Sequence, residues 1–299
     1  MPKGALLRQL SRVSSVISQL GPISGTRALW SFYRHRLLPG GTLRPSLFPV
    51  PGNPAGVWLR PGTADWHVYD QIFIRQEYEL ASLPQSSRLL ADYAKLLASG
   101  KKPVIIDCGA NIGLATVAFK RAFPEAVIYA IEPERENFNL MTRNFAPLSN
   151  VFALRAGVWD RKAALAITDP TVASWSFSLQ EEPSKNDNQD AVDVVAAVTI
   201  PEILDAVPEG ACFIVKIDIE GGENQLFRSN TAWLDNAVLV IIEIHDRKFP
   251  WQATSASFFS AISRRKRDYF FRDENIFCFL HPSDTVDATS QSIGTGTDV

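Results

Sequence analysis

At 299 residues, with 46% hydrophobic and 21% charged side chains, the chain has the make-up of an ordinary globular protein with room for a sizeable core. Its net charge of −2 hides an imbalance: Lys3, Arg8, Arg12, Arg27, Arg34, Arg36, Arg44 and Arg60 all precede the first acid, Asp65, which leaves 22 basic against 32 acidic residues for the rest. So acidic a remainder excludes a duplex nucleic-acid partner, and no stretch approaches the ~20 apolar residues of a membrane-spanning helix.

Leu6, Leu10, Val13, Ile17 and Leu20 recur at helical spacing among arginines and serines. Such a start suits an organelle transit peptide or a membrane-surface helix. Trp30, Phe32 and Tyr33 extend the apolar pattern, which favours an accessory helical extension. With no compact apolar secretory core, a cytoplasmic location is expected. Pro39–Gly62 reads as an irregular linker, and "WHVYDQIFIRQEYEL" resumes regular structure before a helix near Ser87–Ser99.

From Lys102 onward strands alternate with helices: "VIIDCG", a helix over Leu114–Phe123, "AVIYAIE", a helix over Glu134–Phe145, and "VFALRAGVW". A polar interval at Thr168–Asp190 follows, then "ACFIVKIDIE", "AVLVIIEIH" and a closing pair, "DYFFRD" and "NIFCFL". This alternation predicts a doubly wound, mostly parallel α/β sheet. Cys108, Cys212 and Cys278 sit in separate strand-like runs without metal or redox spacing, so buried reduced thiols are expected. The "RRKR" run from Arg264 to Arg267 reads as a solvated helix end. The tail from Ser283 has a disordered composition.

The loop after the first of these strands is D-x-G-x-N-x-G: Asp107, Gly109, Asn111, Gly113. A dinucleotide loop wants glycine where Asn111 and Leu114 stand, so an NAD-dependent oxidoreductase is disfavoured. Asp107 would repel phosphate and attract an ammonium group, while the helix start receives a small carboxylate. S-adenosylmethionine offers both, together with a nucleoside. Glu132, 25 residues after Asp107, stands where doubly wound folds place a ribose-binding acid; the plainer alternative is a helix cap.

In "FIVKIDIE", period-two alternation sets Phe213, Val215, Ile217 and Ile219 opposite Ile214, Lys216, Asp218 and Glu220. Glu243 and His245 share a side of the next strand. Lys216 and Glu243 form the expected cross-strand pair. Asp218, Glu220 and His245 fall at strand ends, where such sheets bind ligands. His245 is the expected general base for a hydroxyl. A divalent metal on Asp218, Glu220, Glu243 and His245 is the alternative and ranks below it, so no metal ligand is assigned.

"DCGANIGLAT", "IEPE", "KIDIEGGE" and "IIEIHDR", with the lead-in "LRPGTADWHVYDQIF…EYEL", resemble the FkbM-type S-adenosylmethionine-dependent methyltransferases over roughly residues 57–280. The resemblance implies a seven-stranded class I methyltransferase sheet of Rossmann-like type with an antiparallel last strand. It also implies O-methylation of a small-molecule, sugar or glycan-like acceptor. Asp107, Gly109, Asn111 and Gly113 would hold the methionine portion and Glu132 the ribose. Asp218 would lie beside the cofactor, and Glu220, Glu243 and His245 would face the acceptor. Arg60, Asp65 and Tyr78 match lead-in positions that could close over the site or merely anchor the segment. Trp175 and Phe177 could shape the acceptor pocket. The implied organisation is an extension and linker over 1–56, a lead-in over 57–100, a catalytic domain over 101–282 and a tail over 283–299. The alternative from another class is a catalytically silent scaffold that keeps the cofactor site.

Overall fold

The computed structural model describes residues 13–37, 44–168, 178–181 and 193–281. The expectations for Trp175, Phe177 and the tail from Ser283 lie outside the described residues. Residues 13–20 are helical (α1), followed by α2 (Pro22–Leu37), which proline opens where its missing N–H is no loss. No described helix is long and apolar enough to cross a membrane.

The irregular linker expected over Pro39–Gly62 is corrected: β1 (Ser46–Val50) and β2 (Asn53–Leu59) pair antiparallel within it. Ser46, Phe48 and Val50 point inward in alternation, a strand pattern that the surrounding prolines and glycines obscure. α3 (Asp65–Tyr69) runs straight into a π-helical turn at Asp70–Ile74. Phe32 stacks on Trp66 at 4.4 Å and Trp66 on Tyr69 at 5.3 Å, so aromatic contacts worth about 0.5–1.5 kcal/mol each join the N-terminal helices to this segment. α4 (Ser86–Ala98) leads into the sheet.

The alternation then runs β3 (Lys102–Cys108), α5 (Leu114–Ala122), β4 (Val127–Ile131), α6 (Arg135–Phe145) and β5 (Val151–Leu154). The single strand expected over "VFALRAGVW" breaks at Arg155, which pairs with Asp193, and β6 (Gly157–Val158) joins a different sheet. β7 (Ala164–Thr168), β8 (Ser178–Glu181) and β9 (Val194–Val198) complete that small four-stranded sheet, packed on Trp159, Leu165 and Val195. Of the interval Thr168–Asp190 expected to be irregular, the described residues include Thr168 at the end of β7 and all of β8. The chain returns through α7 (Ile200–Asp205), whose Thr199 and Glu202 form a capping box. β10 (Gly210–Ile217), α8 (Glu223–Leu226), β11 (Leu239–Glu243), α9 (Ala256–Ile262), β12 (Arg267–Arg272) and β13 (Asn275–Leu280) follow.

The main sheet has seven strands in the order β12-β13-β11-β10-β3-β4-β5, parallel from β11 to β5, with β13 antiparallel to both neighbours. This is the expected class I methyltransferase, Rossmann-like architecture. Ile105 packs into the core on one face of the sheet, Val104 and Ile106 into that on the other, which is why β3 is apolar throughout. A bulge between Cys212 and Ile214 turns Phe213 to the Ile214 side, which corrects the unbroken alternation expected for β10. All three cysteines are free and buried as expected, and burial pushes the Cys212 and Cys278 thiols up to about 12. "RRKR" is solvated only in part. Arg265 reaches the α9 carbonyl of Ala261 at 2.7 Å, but Arg267 is buried against the carbonyls of Cys278 and Leu234.

The chain leaves β5 at one edge and re-enters at β10, so the strand order reverses between β3 and β10. Ligands bind at such a switch point, beyond the carboxyl ends of the strands.

Candidate functional site

The loop after β3 is tied to the end of β4. Gly109 N–H and Ala110 N–H both donate to Ile131 O, at 3.0 and 2.9 Å, and Asn111 N–H donates to the Glu132 carboxylate at 2.8 Å. Asn111 has φ +52°, the left-handed conformation that glycine and asparagine adopt most readily. Asparagine therefore meets the backbone demand of the expected glycine while adding a side chain. Gly109 has φ +76°, and a Cβ there would lie 1.8 Å from Asp218 O. Only glycine fits so close an approach. Gly113 packs α5 onto α6, since a Cβ on it would meet Phe145 at 2.5 Å.

Two sequence expectations are corrected here. Asp107 is fully buried and off the cavity; its carboxylate takes the Thr116 hydroxyl at 2.7 Å and lies 3.1 Å from Lys216 Nζ. Its charge is neutralised by that lysine and does not reach out for an ammonium group. Lys216 in turn pairs with Asp107, and with Asp218 at 3.6 Å, rather than with Glu243. Burial pulls the Lys216 pKa down, but Asp107 and Asp218 outweigh it and hold the ammonium charged. Lys216 Nζ also donates to Gly109 O at 2.8 Å, which pins the loop.

Above the switch point lies a cavity of about 320 Å³. The loop at Gly109–Asn111 and Glu132 form one side; Asp218, Glu220 and Glu243 form the other. His67, Val68 and Gln71 approach from the lead-in, and Gly157, Val158 and Leu179 from the small sheet. Glu77, Glu132, Asp218, Glu220, Glu243 and Glu274 line it against Lys216, Arg247 and Lys248, so the lining is acidic. Glu132 is buried and accepts from Asn111 N–H and from Glu134 N–H, at 2.8 and 3.0 Å. Burial pushes its carboxyl up to about 7. The N-cap of α6 is Glu134, which accepts from Glu136 N–H and Asn137 N–H, while Glu132 accepts from the N–H of that cap residue and so braces the start of the helix from outside it.

Tyr78 lines the cavity as expected, with its hydroxyl 3.5 Å from Asn275 Oδ1. Asp65 does not. It is buried under Arg60, which donates to it at 2.7, 2.8 and 3.0 Å and reaches Asn137 Oδ1 at 2.6 Å. Its role as a substrate contact is corrected to that of an anchor.

The acid wall stands in front of His245. This histidine is 1% exposed and does not line the cavity. Its Nδ1 lies 2.8 Å from Glu223 Oε1; its Nε2 faces Glu220, Glu243 and Asp218 at 3.4, 3.5 and 3.6 Å. Burial alone would lower the His245 pKa, yet Glu223, Asp218 and Glu220 together raise it to about 9. Buried behind the wall, with its Nδ1 engaged by Glu223, His245 is not open to the cavity, and the expectation of a general base facing the acceptor is corrected too. Glu220 takes φ +54° and is hydrogen-bonded by Lys248. Burial and Asp218 raise the Glu220 carboxyl, and they push Glu243 up to about 8. Glu223 was missed in the sequence, where "GGENQ" reads as the exposed start of a helix; only the fold sets it against His245.

The sequence pattern of the methyltransferase FkbM domain matches residues 107–271. Methyltransferase sdnD of Sordaria araneosa is 33% identical over 122 residues, 40% of this chain and 41% of that protein. Methyltransferase 1 of Beauveria bassiana is 27% identical over 202 residues, covering 60% and 74%. The hexuronic acid methyltransferase AglP of Haloferax volcanii is 24% identical over 239 residues, covering 78% and 89%. The chain thus spans less than half the length of the first of these relatives and most of the other two.

Proposed function

Because the chain belongs to the FkbM methyltransferase family, we propose that it transfers a methyl group from S-adenosylmethionine to a hydroxyl of a small-molecule, sugar or glycan-like acceptor. The observation that carries this reading is the meeting of the Gly109–Asn111 loop, Glu132 and the acid wall around one cavity at the switch point. The residues fit the cofactor. Glu132, at the end of β4, is an acceptor for ribose hydroxyls. The predominantly acidic lining, with Asp218 at the switch point, complements a sulfonium and an α-ammonium group. When bound, S-adenosylmethionine supplies a methyl group already activated for transfer.

The chain's own part is positioning and one proton. The loop, pinned by Lys216, holds the donor side, while Tyr78 and the lead-in shield the cavity from water. The acceptor hydroxyl would lie against the wall, where a carboxylate oxygen of Asp218 or Glu220 would take its proton as the methyl group is transferred. The name of AglP supports an acceptor of the sugar-acid class.

Calorimetric titration with S-adenosylmethionine, S-adenosylhomocysteine and NAD tests the reading. Both sulfur compounds bind and NAD does not, and Glu132→Ala weakens binding about 10- to 100-fold, the loss of a charged hydrogen bond of ~1.5–3 kcal/mol. A mass-spectrometric screen of hexuronic acids and other hydroxylated acceptors then identifies the product. NAD binding, or no binding of either sulfur compound, overturns it.

A further inference from the structure

The acid wall and His245 have a geometry that hydrogen bonding does not explain. Glu223 fixes the ring through Nδ1 at 2.8 Å and directs Nε2 at the wall. Nε2 is buried and makes no hydrogen bond. Around it, Glu220 Oε2, Glu243 Oε1 and Asp218 Oδ1 converge at 3.4–3.6 Å. These separations exceed the ~2.7–3.2 Å of an N–H···O bond. They fall in the range of donors that share an ion: ligand atoms about 2.1 Å from one octahedral cation lie roughly 3.0 Å apart when adjacent and 4.2 Å when opposed, and the observed separations lie between these. The donor atoms of Asp218, Glu220 and His245 all lie within 4.8 Å of one another.

We propose that Asp218, Glu220 and His245, with Glu243 beside them, bind one divalent cation between the His245 ring and the cavity. The Glu223–His245 contact is the orienting carboxylate that metal-bound histidines carry on their other ring nitrogen. Carboxylate oxygens outnumber the one imidazole nitrogen and no sulfur is present, which favours a hard divalent ion such as Mn²⁺. Two lysines already face the site. Lys216 is held by Asp107 as well as by Asp218, so it stays. Lys248 bonds the Glu220 oxygen that faces Nε2. Its side chain, 28% exposed, has solvent to turn into when the cation takes that oxygen. A cation here reaches the cavity through Asp218 and Glu220, where it would acidify a bound hydroxyl.

The test uses binding alone, with neither S-adenosylmethionine nor acceptor present, so it fails or succeeds apart from the proposed reaction. Mn²⁺ is titrated into the metal-stripped full chain, and free aquo-Mn²⁺ is followed by electron paramagnetic resonance. One Mn²⁺ per chain is expected, with nitrogen coupling from a single imidazole in the spin-echo modulation. His245→Asn abolishes that coupling. Glu220→Gln weakens binding at least 10-fold, and Glu223→Gln by 10- to 100-fold as an orienting residue. Glu220→Gln, a near-isosteric change at a turn where the side chain is 18% exposed, keeps the test valid if the buried variants fail to fold. Absence of binding up to millimolar Mn²⁺ overturns the proposal. So does binding without imidazole coupling or unchanged by Glu220→Gln, which would place the ion elsewhere on the acidic surface.

Discussion

Lys216→Met isolates the interaction on which the donor side of the cavity rests. The substitution keeps the apolar stem and removes the ammonium, whose side chain is 4% exposed and 3.1 Å from an Asp107 that is fully buried. Asp107 keeps its Thr116 hydrogen bond but loses its cation, and stranding one partner of a buried pair costs about 3–5 kcal/mol. The Gly109 carbonyl also loses its donor, so the loop loosens and affinity for S-adenosylmethionine falls with stability. Urea unfolding at neutral pH measures the loss. The double variant Lys216→Met/Asp107→Asn removes the stranded charge, keeps an acceptor for Thr116, and recovers at least about 2 kcal/mol, the signature of directly coupled residues. Lys216→Met/Glu243→Gln is additive to within about 0.5 kcal/mol, because those two side chains are not paired. Coupling to Glu243 instead of Asp107, or a cost below about 1 kcal/mol for Lys216→Met alone, would refute the reasoning.

Gly109→Ala forces a Cβ to 1.8 Å from a backbone oxygen at positive φ. With about 1–2 kcal/mol of left-handed strain added to that clash, it destabilises by more than about 3 kcal/mol and abolishes cofactor binding; near-native melting and affinity would contradict the close approach. Glu132 sets a pH dependence of known sign. Its folded pKa of about 7 lies above the ordinary carboxyl value of 4.5, so its stabilising contribution is full below 4.5 and lost as pH rises through 7. That is on the order of 3 kcal/mol by pH 8. Thermal unfolding of Glu132→Gln should therefore fall less steeply between pH 5 and 8 than that of the wild type, and parallel curves would count against it. Asp65→Asn loosens the Arg60 anchor and costs about 1–3 kcal/mol in chemical unfolding. Because Asp65 lies off the cavity, affinity for S-adenosylmethionine should change less than about threefold; a larger loss would restore it as a ligand contact.

The main sheet was legible because its strands are buried on both faces and its helices carry apolar stripes; β3 and α6 declare themselves without help from the rest of the chain. The small sheet was not. β6 follows β5 after two residues, and only the Arg155–Asp193 pair, formed across a long stretch of sequence, explains the break. "VVAAV" does alternate in burial, but five small apolar residues after a polar run give a weak strand signal. In the site, loop glycines and strand-end acids could be read from local spacing. Which acid meets which base could not. Lys216 sits between Asp107 and Asp218, and the choice of partner over Glu243 follows from the register of β10, which sets Lys216 opposite Asp107 on β3 and Ile241 on β11. His245 looked accessible at the end of a strand until the wall of carboxylates closed over it.

The close approach of Gly109 to Asp218 has a mechanical meaning. Asp218 N–H bonds Cys108 O at 3.0 Å, Lys216 bridges to the Gly109 carbonyl, and no side chain separates the two backbones. The donor loop and the acid wall are thus fastened together without a hinge between them, and they form a fixed jaw. His67, Gln71 and Leu179 line the cavity from elements outside that jaw, the lead-in and the small sheet.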